Sequence, residues 1–111
     1  MRRPLLLQVL LPLSAALNNG LSVPAMGYNS WYHSFMSPSA TILLEQAAAL
    51  KAHGLQALGF TYVNLDDGMV ATTRAANGSL LPDPNGFPNG FNTVSDALHA
   101  QGFSFGVYTG E

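Results

Sequence analysis

Phe60-Thr61-Tyr62-Val63-Asn64-Leu65-Asp66-Asp67-Gly68 is aromatic and β-branched as far as Leu65, then abruptly acidic. Phe60 to Leu65 reads as a strand, and Asp-Asp-Gly as the turn that ends it. Upstream, Ser39 to His53 is rich in Ala, Leu, Glu, Gln and Lys, a helical composition that Gly54 stops. Ser37-Pro38 offers an N-cap followed by proline at the first helical position. Before it, Met26 to Trp31 is consistent with a short buried strand or the end of one. Downstream, about Phe91 to Gln101 reads as a second helix stopped by Gly102. Phe103 to Tyr108 reads as a third strand, apolar almost throughout, as expected of a strand covered on both faces. Strand–helix–strand–helix–strand without a hairpin signal predicts parallel strands joined by crossover helices, an α/β fold.

Gly68 to Gly90 breaks the rhythm of short connections. Asn77-Gly78, Pro82, Pro84, Asn85-Gly86 and Pro88-Asn89-Gly90 are turn chemistry without helical period. The segment reads as a long loop leaving the carboxyl end of the second strand, the edge where α/β folds place their sites.

Composition narrows the classes. The 111 residues are 48% hydrophobic and only 9% charged, which excludes intrinsic disorder. Lys and Arg number 4 against 6 Asp and Glu, so no basic stripe is available for phosphates and no nucleic-acid partner is expected. The absence of cysteine excludes a disulfide scaffold and a thiolate metal site. Arg2 and Arg3 precede an apolar run, Pro4 to Leu13, followed by the small residues Ser14-Ala15-Ala16. That is the shape of a secretory signal peptide over residues 1–16, too short to span a bilayer, with the fold over 17–111. The implied location is secreted, or the lumen of a vacuole or lysosome, with no membrane anchor. In that setting Asn77-Gly78-Ser79 is an N-glycosylation sequon.

Asp66-Asp67 admits several readings from the residues alone. The pair could simply end the strand, or contribute to a Mg²⁺ site, although no further acid lies nearby in sequence. A glycosidase acid and nucleophile must flank one bond, about 5–5.5 Å apart for retention or 6.5–9.5 Å for inversion, which adjacent residues satisfy poorly. As ionised acceptors for two hydroxyls of a polyol they fit better. Trp31, the one tryptophan, could be core or could stack on a sugar ring. Tyr108 ends its strand with an apolar body and a polar tip. All three strands thus end in a residue suited to carbohydrate. His53 and His99 fall in last helical turns and read as dipole-favoured surface residues, while His33 lies near Trp31.

Several of these motifs, in this order, resemble the α-galactosidases (melibiases) of glycoside hydrolase family 27. Leu17 to Leu21 and Pro24-Ala25-Met26-Gly27-Tyr28-Asn29-Ser30-Trp31 are similar to that family's mature N-terminus. Tyr62 to Asp67 resembles its second-strand motif, Phe87-Pro88-Asn89-Gly90 the entry to its second helix, and Gly102 to Thr109 its third strand. The resemblance implies the N-terminal portion, about three βα units, of a (β/α)8 TIM barrel, incomplete in this chain. It implies retaining hydrolysis of terminal α-galactosides through a covalent galactosyl–enzyme intermediate, without cofactor or metal. Trp31 and Tyr108 would line the galactose pocket, and Asp66 and Asp67 would bind sugar hydroxyls. The two catalytic aspartates would follow the fourth and sixth strands, beyond Glu111, so the 111 residues alone are expected to be inactive. An α-N-acetylgalactosaminidase of the same family, or a non-catalytic galactose-binding fragment, are the alternatives.

Departures accompany the resemblance. Tyr28 stands for a tryptophan of the family pattern, Met69 for another that lies against the sugar, and Gly110 for an aspartate. Where many members carry a disulfide, this chain has Met36 or Ser37 and Gly68.

Overall fold

The computed structural model describes residues 20 and 22–109. The leader expected over 1–16, the Leu17-Asn18-Asn19 and Leu21 part of the N-terminal motif, Gly110 and Glu111 lie outside the described residues. Five strands and three α-helices follow in the order β1 (Gly27–Asn29), α1 (Trp31–Ser34), α2 (Ala40–Ala52), β2 (Tyr62–Leu65), β3 (Val70–Arg74), β4 (Leu80–Pro82), α3 (Gly90–Ala100) and β5 (Ser104–Val107), with a 3₁₀ turn at Gln56–Leu58.

The main sheet is parallel, as expected, in the order β1-β2-β5. Alternation along its strands separates two faces. Val63 and Leu65 are buried and pack with Leu43 and Ala47 of α2, Val94 and Leu98 of α3, and Phe103; Tyr28 and Phe105 join the edge of this core. Both crossover helices therefore cover one face. Register puts Tyr62 opposite Gly27 and Ser104, and Asn64 opposite Asn29 and Gly106, on the other. β5 is accordingly not covered twice among the described residues: Ser104 and Val107 are exposed, while Phe105 and Gly106 are half-buried. Its apolar run misled because Gly106, which shares the uncovered face with Ser104, carries no side chain to mark that face.

Both long helices end the same way. Gly54 and Gly102 adopt positive φ (+74° and +84°), and the next residue's N–H reaches back five residues, Leu55 to Leu50 O (2.9 Å) and Phe103 to Leu98 O (3.0 Å). These are Schellman stops, and glycine supplies the left-handed residue without a Cβ penalty.

The start of α2 differs from expectation. Ser37 does not cap it: its N–H donates to Ser34 O (2.9 Å), so it closes the turn leaving α1. Pro38 is buried before the helix begins. Ser39 is the N-cap, extended (φ −147°, ψ 159°), its Oγ accepting from Ile42 N at 3.2 Å.

The long connection also differs. It holds the antiparallel hairpin β3–β4, paired Val70 to Pro82 and Arg74 to Leu80. Val70-Ala71-Thr72-Thr73-Arg74 is rich in β-branched residues, and Asn77-Gly78 is a hairpin turn signal in its own right. Gly78 takes φ +85° at the turn. No described helix is long and apolar enough to cross a membrane.

Candidate active site

The carboxyl ends of β1, β2 and β5 converge through one polar network. Ser30, fully buried, follows β1; its N–H donates to Asn64 O at 3.1 Å. Its Oγ accepts from Asp66 N at 2.9 Å. Asn29 donates through Nδ2 to Asp66 Oδ2 (2.8 Å), while its Oδ1 accepts from Trp31 N (2.9 Å). On the far side of β2, Tyr108 N donates to Leu65 O at 2.9 Å. Parallel pairing thus brings the end of each strand to one level; side chains stitch the end of β1 to that of β2, and the backbone joins β5.

The two acids divide the work. Asp66 Oδ1 accepts from Asp67 N (2.8 Å) and Oδ2 from Asn29, so both its oxygens are engaged. Asp67 Oδ1 accepts from Gly68 N (2.7 Å). Asp67 Oδ2 accepts no hydrogen bond from the described residues, and is the carboxylate oxygen most available to an incoming hydroxyl. Asp66 organises the edge; Asp67, half-buried, lines a cleft beside it.

Tyr108 separates two open clefts of about 310 Å³ each. One is lined by Asn29, Asn64, Leu65, Asp66, Gly106, Val107 and Tyr108, the other by Asp67, Met69, Val70, Arg74, Leu80, Tyr108 and Thr109. A Cβ on Gly106 would collide with Asn64 Oδ1, so glycine at this level of β5 is what admits the Asn64 amide. A larger cavity, 480 Å³, lies behind Gly68 against Met36 to Ser39. Its one acid, Asp83, has its oxygens engaged by Asn85 Nδ2 (3.3 Å) and Gly86 N (3.0 Å), leaving the Tyr108 clefts as the better-equipped site.

Of the four side chains expected to meet a sugar, the structure brings Asp66, Asp67 and Tyr108 to adjoining clefts. Trp31 lines neither. It opens α1 rather than ending a strand, and its ring packs edge-to-face on Phe35, centroids 5.8 Å apart. Met69 is both core and cleft lining, at 5% exposure. His33 bonds the Tyr28 hydroxyl through Nδ1 (2.8 Å), and burial pushes the Tyr28 phenol above its ordinary 10.0. His53 and His99 are exposed at the ends of α2 and α3, as expected.

Sequence reasoning missed Asn29, Ser30 and Asn64 as site residues. Asn64 had a signal: it alternates out of phase with the buried Val63 and Leu65, which puts an amide on the uncovered face.

A parallel α/β sheet with both helices on one face, and acids and a tyrosine at its carboxyl edge, places the chain in the α/β class with its candidate site at that edge. A family model described as alpha galactosidase A matches residues 33–111. The chain belongs to that family. It is 37% identical over 94 residues to "Alpha-galactosidase 2" of Arabidopsis thaliana, covering 84% of this chain and 24% of that protein. Among solved structures, the Saccharomyces cerevisiae alpha-galactosidase with raffinose superposes with a TM-score of 0.74 at 36% identity, covering 78% of this chain and 19% of that one. A candidate alpha-N-acetylgalactosaminidase from Bacillus halodurans gives a TM-score of 0.70 at 30% identity, over 77% of this chain and 24% of that one. The chain spans about a quarter of the length of the curated relatives it matches.

Proposed function

We propose that this chain forms the first three βα units of a (β/α)8 barrel and one wall of the galactose pocket of a retaining α-galactosidase. The observation that carries the reading is the carboxylate pair ending the central strand, with Asp67 Oδ2 unengaged beside Tyr108. An ionised acceptor for a sugar hydroxyl forms a charge-assisted hydrogen bond, and an aromatic face next to it suits the apolar side of a hexose. Asp67 accepts a galactose hydroxyl, Asp66 holds Asp67 and Asn29 in place while offering its remaining lone pairs, and Tyr108 flanks the ring. Trp31 opens α1 and lines neither cleft, so its contribution is the smallest of the four. In this reading the covalent chemistry falls to the two aspartates expected after the barrel's fourth and sixth strands, and the pocket wall described here supplies binding and orientation. The leader over residues 1–16 sends the protein to a secretory or vacuolar or lysosomal lumen.

The test is hydrolysis of aryl α-galactosides by the complete reading frame that carries this chain. Asp67→Asn keeps the oxygen that accepts from Gly68 N and removes the charge. A hydrogen bond to a charged group contributes about 1.5–3 kcal/mol. At about 1.36 kcal/mol per decade, kcat/KM should fall roughly 10- to 100-fold with KM raised. Unchanged kinetics remove the pocket assignment. The Bacillus halodurans neighbour supports a second reading, α-N-acetylgalactosaminidase. Preference for the 2-acetamido aryl glycoside over the galactoside in the same assay would select it.

A further inference from the structure

From the hairpin geometry we infer that Asn77 is an N-glycan acceptor, presented at the tip of β3–β4. The inference rests on the lumenal location proposed above and on nothing in the galactose pocket. No other asparagine of the chain has a serine or threonine two residues on. Asn77, Gly78 and Ser79 are all exposed. Ala75 and Ser79 close the turn, Ala75 N donating to Ser79 O at 2.9 Å, and Gly78 N donates to Ala75 O at 2.8 Å. Asn77 Oδ1 accepts from Ser79 N at 3.1 Å. That bond uses the amide oxygen and leaves Nδ2 without a partner among the described residues. Arg74 Nη1, donating to Gly78 O at 2.9 Å, braces the turn from the strand side. A Cβ built on Gly78 would meet nothing within 4 Å, so the space around the turn is open.

The transfer balances as a substitution at an anomeric carbon. Asn77 Nδ2 bonds to C1 of a lipid-diphosphate-linked oligosaccharide while the C1–O bond to the diphosphate breaks. The lipid diphosphate leaves with the electron pair, and the amide loses one proton to base. The turn residues line neither cleft beside Tyr108, so a glycan here is attached outside the proposed pocket.

The experiment expresses the chain in a glycosylating eukaryotic host in two forms, one behind a grafted cleavable leader and one with its own N-terminus. The readout is peptide mass and gel mobility of the denatured chain before and after peptide N-glycosidase, which converts an occupied Asn77 to Asp. Denatured analysis makes the result independent of how the variant folds. Both forms should carry the glycan, with Asn77→Gln and Ser79→Ala abolishing it and Ser79→Thr retaining it. In an active complete reading frame, Asn77→Gln should leave KM for the galactoside unchanged. A translocated chain with unmodified Asn77 overturns the acceptor assignment. Glycan on the grafted form alone overturns the lumenal location while the turn geometry stands.

Discussion

Ser30→Ala should damage the site more than any other serine-to-alanine change nearby, and the structure says by how much. Ser30 is fully buried, and its Oγ is the acceptor for Asp66 N at 2.9 Å. Removing it leaves that N–H facing a buried methyl group in place of its acceptor. An orphaned donor of this kind costs about 1–3 kcal/mol. Ser34 is the control. Its Oγ donates to Ser30 O at 3.0 Å, but that carbonyl keeps the N–H groups of Ser34 (3.0 Å) and His33 (3.2 Å) when the hydroxyl is gone. Ser34→Ala therefore orphans nothing, and its half-buried hydroxyl already reaches water, so its cost sits at or below the ~0.5 kcal/mol foot of the net hydrogen-bond range. The two variants should differ by roughly 1 kcal/mol or more in urea unfolding of the complete reading frame, at unchanged m-value. Asp66 is held by Ser30 on its backbone and by Asn29 on its carboxylate, so loosening the first lets the acid pair drift. KM for the galactoside should rise with Ser30→Ala and stay put with Ser34→Ala. Equal stabilities for the two variants, or an unmoved KM for Ser30→Ala, would refute the claim that Ser30 anchors the acid pair.

Two glycines at opposite extremes of crowding make a second comparison. A Cβ on Gly27 would collide with the Tyr62 carbonyl of the neighbouring strand, a backbone obstacle that cannot swing aside. Gly27→Ala should cost more than about 3 kcal/mol, against about 1–2 kcal/mol of left-handed strain for Gly78→Ala in open space; soluble yield and thermal midpoint rank them. The half-buried phenol of Tyr28 gives a pH dependence. Its folded-state value lies above 10.0, so the native state holds a proton that the unfolded chain releases. Its contribution is intact below about pH 10 and is lost as pH rises through the folded value, and Tyr28→Phe should remove that alkaline decline from the unfolding profile.

The main sheet is legible chiefly in β2, whose aromatic and β-branched residues are closed by Asp-Asp-Gly, and in β5, which follows the helix-stopping Gly102; β1, only Gly27-Tyr28-Asn29, is the faintest of the three. Gly54 and Gly102 are legible as stops for the reason they act as stops. The cap of α2 was harder, because Ser37 and Ser39 flank the same proline. Only tertiary structure shows Ser37 bound to Ser34 and Ser39 extended. The hairpin was hidden by its own punctuation. Asn77-Gly78 shares its loop chemistry with the neighbouring prolines, yet between Val70–Arg74 and Leu80–Pro82 it is the turn that pairs two strands. Aromatic residues favour strands, which predicts Trp31 at a strand end. Asn29 decides otherwise: its Oδ1 takes the Trp31 N–H and starts a helical turn.

The acid pair shows why site residues are harder to read than folds. Asp66 and Asp67 are identical in type and adjacent in sequence, so no pattern of residues distinguishes them. Their difference comes from residues far along the chain: Asn29, 37 positions away, occupies Asp66 Oδ2, whereas Asp67 has only its neighbour Gly68 as donor. The distinction exists because β1 and β2 pair in parallel with Asn29 opposite Asn64, which lifts the Asn29 amide to the level of the strand end. Shifting that register by one residue would send Asn29 to the helix-covered face, burying its amide and stripping Asp66 of its partner. Gly27 guards the register, since a side chain there would strike Tyr62. A residue at the base of β1, remote from any sugar, therefore helps decide which of two adjacent carboxylates is left open at the top of β2.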